Sequence, residues 1–335
     1  MNLTHLPENQ RIDIFNIVHD RTALSQVVLE KDWWVTVVLR ALFSLPYAVN
    51  LSFKGGTSLS KCWNLIERFS EDVDIAINRE YLGFIGTLSK TQIRDRLRRT
   101  SCSFVREKLQ FDLQNQLETD GVNISEFSVN VNIIPDSTID PEIVEVHYKT
   151  LFVDRYIKPI VKLEISGRSM SEPVSKVVLQ SFLDETFPNS PISEEPFELN
   201  VVVPERTFLE KICLLHEEFA KPQKEIRTER MSRHLYDLER MMDTSIAEKA
   251  LKDKELYSSI VEHRRTFIRL KDFDYDTLAP KMIKIIPPES VITQWQQDYE
   301  TMQGTMIYGE SLPFEKLMKK IQQLNEKINK IESLT

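Results

Sequence analysis

Residues 54–77 read KGGTSLSKCWNLIERFSEDVDIAI, and the order of elements within this stretch decides the fold. NLSFKGG (50–56) reads as a short strand running into a glycine turn, TSLSKCWNLI begins as a helix capped by Thr57 or Ser58, and VDIAI is a second strand. Gly55 and Gly56 admit positive φ and close approach of the backbone to a ligand. Thr57 and Ser58 add hydroxyls and helix N-terminal amides, which suit phosphate oxygens. Asp72 and Asp74 stand two apart on a strand and so share one face. Two such carboxylates repel each other, and a hard divalent cation such as Mg²⁺ relieves the repulsion. A phosphate cradle followed by paired carboxylates is what phosphoryl or nucleotidyl transfer requires. The stretch is not a Walker A loop, because no GK[ST] closes it and Lys61 falls inside the helix. A glycine pair or a DxD alone is commonplace in turns and at strand ends; their order and spacing carry the reading.

Upstream, residues 8–45 are helical and end at Pro46. Residues 89–118 return to helix, while 127–134, 142–148 and 160–166 alternate apolar and polar as half-buried strands do. PNSPISEEP (188–196) is the best linker. Beyond it, 205–219, 230–243, 246–270 and 313–333 carry helical periodicity. In the last of these, Phe314, Leu317, Ile321, Leu324, Ile328 and Ile331 form a heptad seam, too short for a free coiled coil and suited to docking on its own domain. The expected class is α+β: a mixed sheet with flanking helices over 1–190, then a mainly helical domain over 197–335.

The 335 residues are 41% hydrophobic and 28% charged, with a net charge of −8. This balance excludes a wholly basic nucleic-acid coat protein but allows local basic surfaces. Two stretches qualify, 89–108 with seven Lys/Arg against two acids and 221–240 with six against four, either of which could contact an RNA backbone or simply form a solvated helix face. Three scattered cysteines fit neither a disulfide framework nor a zinc site. No membrane span or signal peptide is expected, and a cytoplasmic location is the default.

The GGTSLSK and RFSEDVDIAI elements resemble the nucleotidyltransferase signature of the polymerase-β-like superfamily, and more narrowly the AbiEii/AbiGii-type nucleotidyltransferase toxins of toxin–antitoxin and phage-abortive-infection systems. LEKDWWVTVVLRALF (29–43), PERTFLEKICLLHE (204–217) and RHLYDL (233–238) support the narrower match. In the last, Arg233 and Asp237 match the family's pattern, whereas His234 stands where an Asp is usual. The resemblance implies a bilobed fold with the active site in its cleft. Asp72 and Asp74 would hold the metal ions, and Gly55, Gly56, Thr57 and Ser58 would bind the nucleoside triphosphate. Lys211 and Asp237 would complete the site from the helical half. A third metal-binding carboxylate would stand on a later strand; Glu164 is the natural candidate, with Lys162 on the same face, while Asp136 and Glu145 also lie near strands.

Taken alone, Lys211 could equally pair with Glu210 or Glu217, and Asp237 with Arg233 or Arg240, at helical spacing. The expected activity is Mg²⁺-dependent transfer of a nucleoside monophosphate from an NTP to an acceptor hydroxyl, by resemblance the tRNA 3′ end, with an antitoxin as partner. The alternatives are a protein or small-molecule acceptor, or a catalytically idle nucleotide- or RNA-binding module.

Overall fold

The computed structural model describes residues 2–70, 72–132, 142–155 and 157–331. The chain forms two compact units, one of Met1–Cys62 with Ser70–Val201 and one of Trp63–Phe69 with Val202–Thr335.

The first unit is built on a mixed sheet of β1 (Leu51–Lys54), β2 (Asp72–Ile77), β3 (Phe127–Asn132), β4 (Glu142–Tyr148), β5 (Ile160–Ser166), β6 (Val174–Leu179) and β7 (Phe197–Val202), in the order β3-β4-β5-β2-β1-β7-β6. β1 runs antiparallel to β2 and parallel to β7, and β2 runs parallel to β5. The expected strands are present; residues 133–134 of the first of them, and Asp136, lie outside the described residues. The three-proline stretch, expected as a linker, falls within this unit, because β7 beyond it pairs with β1.

Alternation sorts the sheet residues onto two faces. Val73, Ile75, Val144, Val146, Val161, Leu163 and Ile165 are buried, while Asp72, Asp74, Lys162 and Glu164 between them are half-exposed. Helices α1 (Glu8–Thr22), α2 (Gln26–Phe43), α3 (Gly55–Lys61), α4 (Arg98–Phe104), α5 (Gln110–Thr119) and α6 (Phe182–Thr186) accompany the sheet. α2 is buried almost all round, as its sequence requires. Its Trp34 stacks on Tyr148 at 4.9 Å, and two of its buried charged members are paired: Lys31 donates to the carbonyls of Lys158 and Ile160, and Asp32 pairs with Lys61.

Two local expectations are corrected. α3 begins at Gly55 itself with Lys54 as its N-cap, so neither Thr57 nor Ser58 caps it. It ends at Lys61, and Asn64 takes a positive φ of 50°. The helical stretch after residue 89 is not uniform either, because Gln92–Leu97 and Val105–Leu109 are π-helical turns.

The second unit is helical: α7 (Pro204–Phe219), α8 (Arg233–Met242), α9 (Ser245–Lys252), α10 (Lys254–His263), α11 (Ile292–Thr305) and α12 (Phe314–Asn329). The continuous helix expected over 246–270 is broken at Asp253, whose side chain caps α10 by accepting from the Leu256 amide. The α12 seam packs within this unit: Phe314, Leu317, Ile321, Leu324 and Ile328 are all buried. Asn325 and Asn329 accept from the Ile285 and Ile283 amides at 2.9 and 3.1 Å.

Candidate active site

In the first unit the glycine turn and the acidic strand are locked together. Gly55 has φ +79°, and a Cβ placed on it would lie 1.9 Å from Asp74 Oδ2. The Asp74 carboxylate therefore packs directly against the main chain of the turn, which only glycine permits. The Thr57 hydroxyl donates to the Asp72 carbonyl at 2.5 Å, and the Ser58 hydroxyl to the Gly55 carbonyl at 2.8 Å. Both side chains are buried. These hydroxyls tie α3 to the start of β2 and close the turn on itself, so the part of the turn left for a ligand is its backbone and not its hydroxyls.

The sheet then sets the neighbours of the acid pair. In register, Asp72 faces Lys162 and Asp74 faces Glu164 across the parallel β2–β5 pairing, while Lys54 faces Asp74 from β1. Paired residues project to the same side of a sheet. Asp72, Asp74, Lys162 and Glu164 thus share one polar face. Of the other acids considered for the third carboxylate, Glu145 holds His147 at 2.9 Å.

The donor chemistry fits a hard divalent cation, because the pair offers carboxylate oxygens on one half-exposed face. No group of three or more His, Cys, Asp or Glu is arranged around a common ion among the described residues.

The helical unit contains a second charged centre. Asp237 is fully buried and accepts from Arg68 Nε at 2.6 Å and Arg68 Nη2 at 2.8 Å, with Lys211 Nζ 2.8 Å from its Oδ2. Although burial pushes its carboxyl up, the Arg68 and Lys211 charges prevail and hold it well below the usual carboxylate range. Lys211 is shifted down by burial and by the Arg68 charge, more than Asp237 raises it. His234 Nδ1 lies 3.5 Å from Lys211 Nζ, and burial keeps the ring neutral.

Three of the four partners that helical spacing offered are engaged elsewhere. Glu210 holds Arg206 at 2.7 Å, Glu217 holds Arg264 in a buried pair, and Arg240 holds Glu67 at 2.9 Å. Arg68 was missed as a site residue although it opens the RFSEDVDIAI element, because its partner stands 169 residues away and no local pattern signals it.

The basic stretches are partly neutralised. In 89–108, Arg94 pairs with Asp95, Arg106 with Glu142 and Lys108 with Asp112. In 221–240, Lys221 and Arg227 both bind Glu218.

The model of the nucleotidyl transferase AbiEii toxin family, of the type IV toxin–antitoxin system, matches residues 37–321. The chain belongs to this family. It is accordingly a nucleotidyltransferase toxin, with an NTP as substrate and an antitoxin as its counterpart. Among solved structures it is similar to MenT4, a nucleotidyltransferase toxin of Mycobacterium tuberculosis H37Rv, at 15% identity over 97% of this chain and 98% of that one, with a TM-score of 0.44. It is also similar to JHP933 of Helicobacter pylori, at 16% identity over 91% and 99% of the two chains, with a TM-score of 0.36. No curated protein matches. Among the described residues no helix is long and apolar enough to cross a membrane.

Proposed function

We propose that this AbiEii-family toxin uses Mg²⁺ to transfer a nucleoside monophosphate from an NTP to the 3′-terminal hydroxyl of tRNA, in the cytoplasm, as part of a growth-arresting phage defence. The observation that carries the reading is the Asp72/Asp74 pair on one face of β2, with Asp74 seated against Gly55.

In the proposed reaction the acceptor oxygen attacks the α-phosphorus in line. The bond from that phosphorus to the bridging oxygen breaks, pyrophosphate leaves, and the hydroxyl proton passes to solvent. Asp72 and Asp74 would hold the divalent cations, with Glu164 as the neighbouring carboxylate. Cations held there would supply positive charge to the attacking and leaving oxygens. The backbone of Gly55, Gly56, Thr57 and Ser58 would receive the triphosphate, whose close approach the absence of side chains at Gly55 and Gly56 allows. Lys162, on the face of the acid pair, and Lys211 would supply compact cations to phosphate charge. The 89–108 stretch, where Lys90, Arg96 and Arg99 are exposed, would add backbone attraction for RNA.

The test is incubation of purified protein with Mg²⁺, total bacterial RNA and each α-labelled NTP in turn, with Asp74→Ala in parallel. Label in tRNA-sized RNA, absent with the variant, is the expected result. Label on protein would move the acceptor, and no label with any NTP would defeat the transferase reading for this chain.

A further inference from the structure

Asp237 matches the family's pattern and would by that resemblance be counted among the catalytic groups. Its surroundings give it a different task. Both carboxylate oxygens are occupied, Oδ1 by Arg68 Nε and Oδ2 by Arg68 Nη2 and Lys211 Nζ. The side chain has no exposure at all. A carboxylate held by two cations through both oxygens and sealed from solvent is poorly placed to bind a metal ion or to take a substrate proton.

Arg68 is equally committed. It is buried, and besides its two bonds to Asp237 its Nη1 donates to the Phe69 carbonyl at 3.2 Å. Its main chain is fastened by the segment before α12. Arg68 and Ile307 form an antiparallel bridge, the Phe69 amide donates to the Met306 carbonyl at 2.7 Å, and the Tyr308 amide donates to the Glu67 carbonyl at 3.0 Å. Gly309 leaves room for the Glu67 side chain, since a Cβ there would come within 2.4 Å of Glu67 Oε2. Glu67 in turn holds Arg240 of α8, and the Tyr236 hydroxyl, also on α8, meets the Glu67 amide at 3.3 Å. Residues 67–69 are thus clamped inside the helical unit on both sides. The chain leaves that clamp at Phe69 and reaches Asp72 three peptide bonds later.

We propose that Arg68 and Asp237 are positioning residues. The pair fixes the clamp from which the acidic strand emerges, and Asp237 holds the Lys211 ammonium in place; neither touches NTP, metal or acceptor. The proposal rests on the transferase reading above and gives Asp237 a role within it.

Charge arithmetic supplies a test that a catalytic carboxylate could not pass. Asp237→Asn leaves two buried cations without their anion. Adding Arg68→Met removes one of those cations and leaves the introduced amide oxygen to accept from Lys211. Breaking a buried ion pair on one side is far costlier than removing both partners, so the second change should repair the first. Rates are measured with saturating NTP at a temperature well below every variant's melting point, so that only folded protein is compared. The expected result is a loss of about 100-fold in kcat for Asp237→Asn, the scale of a small misplacement of reacting groups. The Arg68→Met/Asp237→Asn double variant should regain about tenfold of it, together with several degrees of Tm.

A double variant that recovers Tm but no rate would mean that the Asp237 carboxylate itself takes part in the reaction, and would overturn the proposal. An Asp237→Asn protein with lowered Tm but unchanged kcat would overturn it as well, reducing the pair to bulk stability. Should Asp237→Asn not fold, Arg68→Met alone decides. It keeps the Asp237–Lys211 pair, should fold, and should lose about tenfold in kcat; an unchanged kcat overturns the proposal. A wild-type protein that transfers no label at all defeats the transferase reading first and this role with it, an outcome distinct from failure with an active wild type.

Discussion

Gly55 and Asp74 occupy space that only one side chain can fill. The missing Cβ of Gly55 would sit 1.9 Å from Asp74 Oδ2, so the turn and the carboxylate can be neighbours only while residue 55 has no side chain. Gly55→Ala must therefore displace Asp74 and also strain a backbone at positive φ. We expect transfer to fall by about 100-fold, with about 1–3 kcal/mol of stability lost. Gly83→Ala is the control, since Gly83 has φ +86° but nothing within 4 Å of its would-be Cβ. It should show the backbone penalty and leave transfer intact. Initial rates and urea melts of the two variants separate the effects.

Metal dependence should be visible without turnover. With the Mg²⁺–NTP complex present at about 100 times its dissociation constant, binding to the folded state adds about 2.7 kcal/mol. We expect a corresponding rise in Tm for the wild type, reversed by EDTA and absent in Asp72→Asn and Asp74→Asn. Equal rises in wild type and variants would separate nucleotide binding from the acid pair.

His216 should make stability depend on pH. Its Nε2 lies 3.0 Å from Thr277 Oγ1, and its Nδ1 accepts from the Lys284 amide at 3.0 Å. Burial, with the nearby Lys284 charge, pushes the ring down to about 4. The folded state thus keeps the ring neutral where the unfolded chain, near 6.5, protonates it. The contribution is present above about pH 6.5 and is lost as pH falls toward 4, amounting to about 3 kcal/mol over that window. His234 is also held neutral by burial and acts in the same direction. His216→Gln should flatten the pH dependence of denaturant midpoints between about pH 6.5 and 4. An unchanged slope would assign it to other groups.

The α12 seam should be a stability element and not an oligomerisation element. Ile321 is fully buried within its own unit. Ile321→Ala is expected to cost about 2–5 kcal/mol and to leave the sedimentation coefficient of the folded protein unchanged. A mass change on substitution would instead place this helix at an interface between chains.

Much of the fold was legible because it was written in local periodicity. The alternation in β2, β4 and β5 survives as alternating burial, and the α12 heptad survives as a buried seam. The acid pair and glycine turn were legible for the same reason, since their spacing is short. What escaped was decided by distant or single-residue events. No periodicity foretold that Thr57 and Ser58 would spend their hydroxyls on the Asp72 and Gly55 carbonyls, because the choice between solvent, ligand and carbonyl is made by tertiary packing. The break at Asp253 lies within a run of good helix formers and depends on one capping side chain. β6, with most of its residues exposed, carries too little apolar contrast to announce itself. Asp237 read by spacing alone pointed to Arg233 or Arg240; the folded chain brings Arg68 across 169 positions instead.

Residues 63–69 count with the helical unit although α3 before them and β2 after them count with the sheet. The polypeptide therefore passes between the units at 62/63, at 69/70 and again at 201/202. Such threading removes the modularity that a single linker would confer. A fragment starting at residue 197 would carry Lys211 and Asp237 but leave their guanidinium partner behind, and a chimera joined there with a diverged relative would match the arginine of one parent to the aspartate of the other. Recombination and protein engineering alike must treat the two units as one heritable piece, with residues 63–69 exchanged together with the helices that grip them.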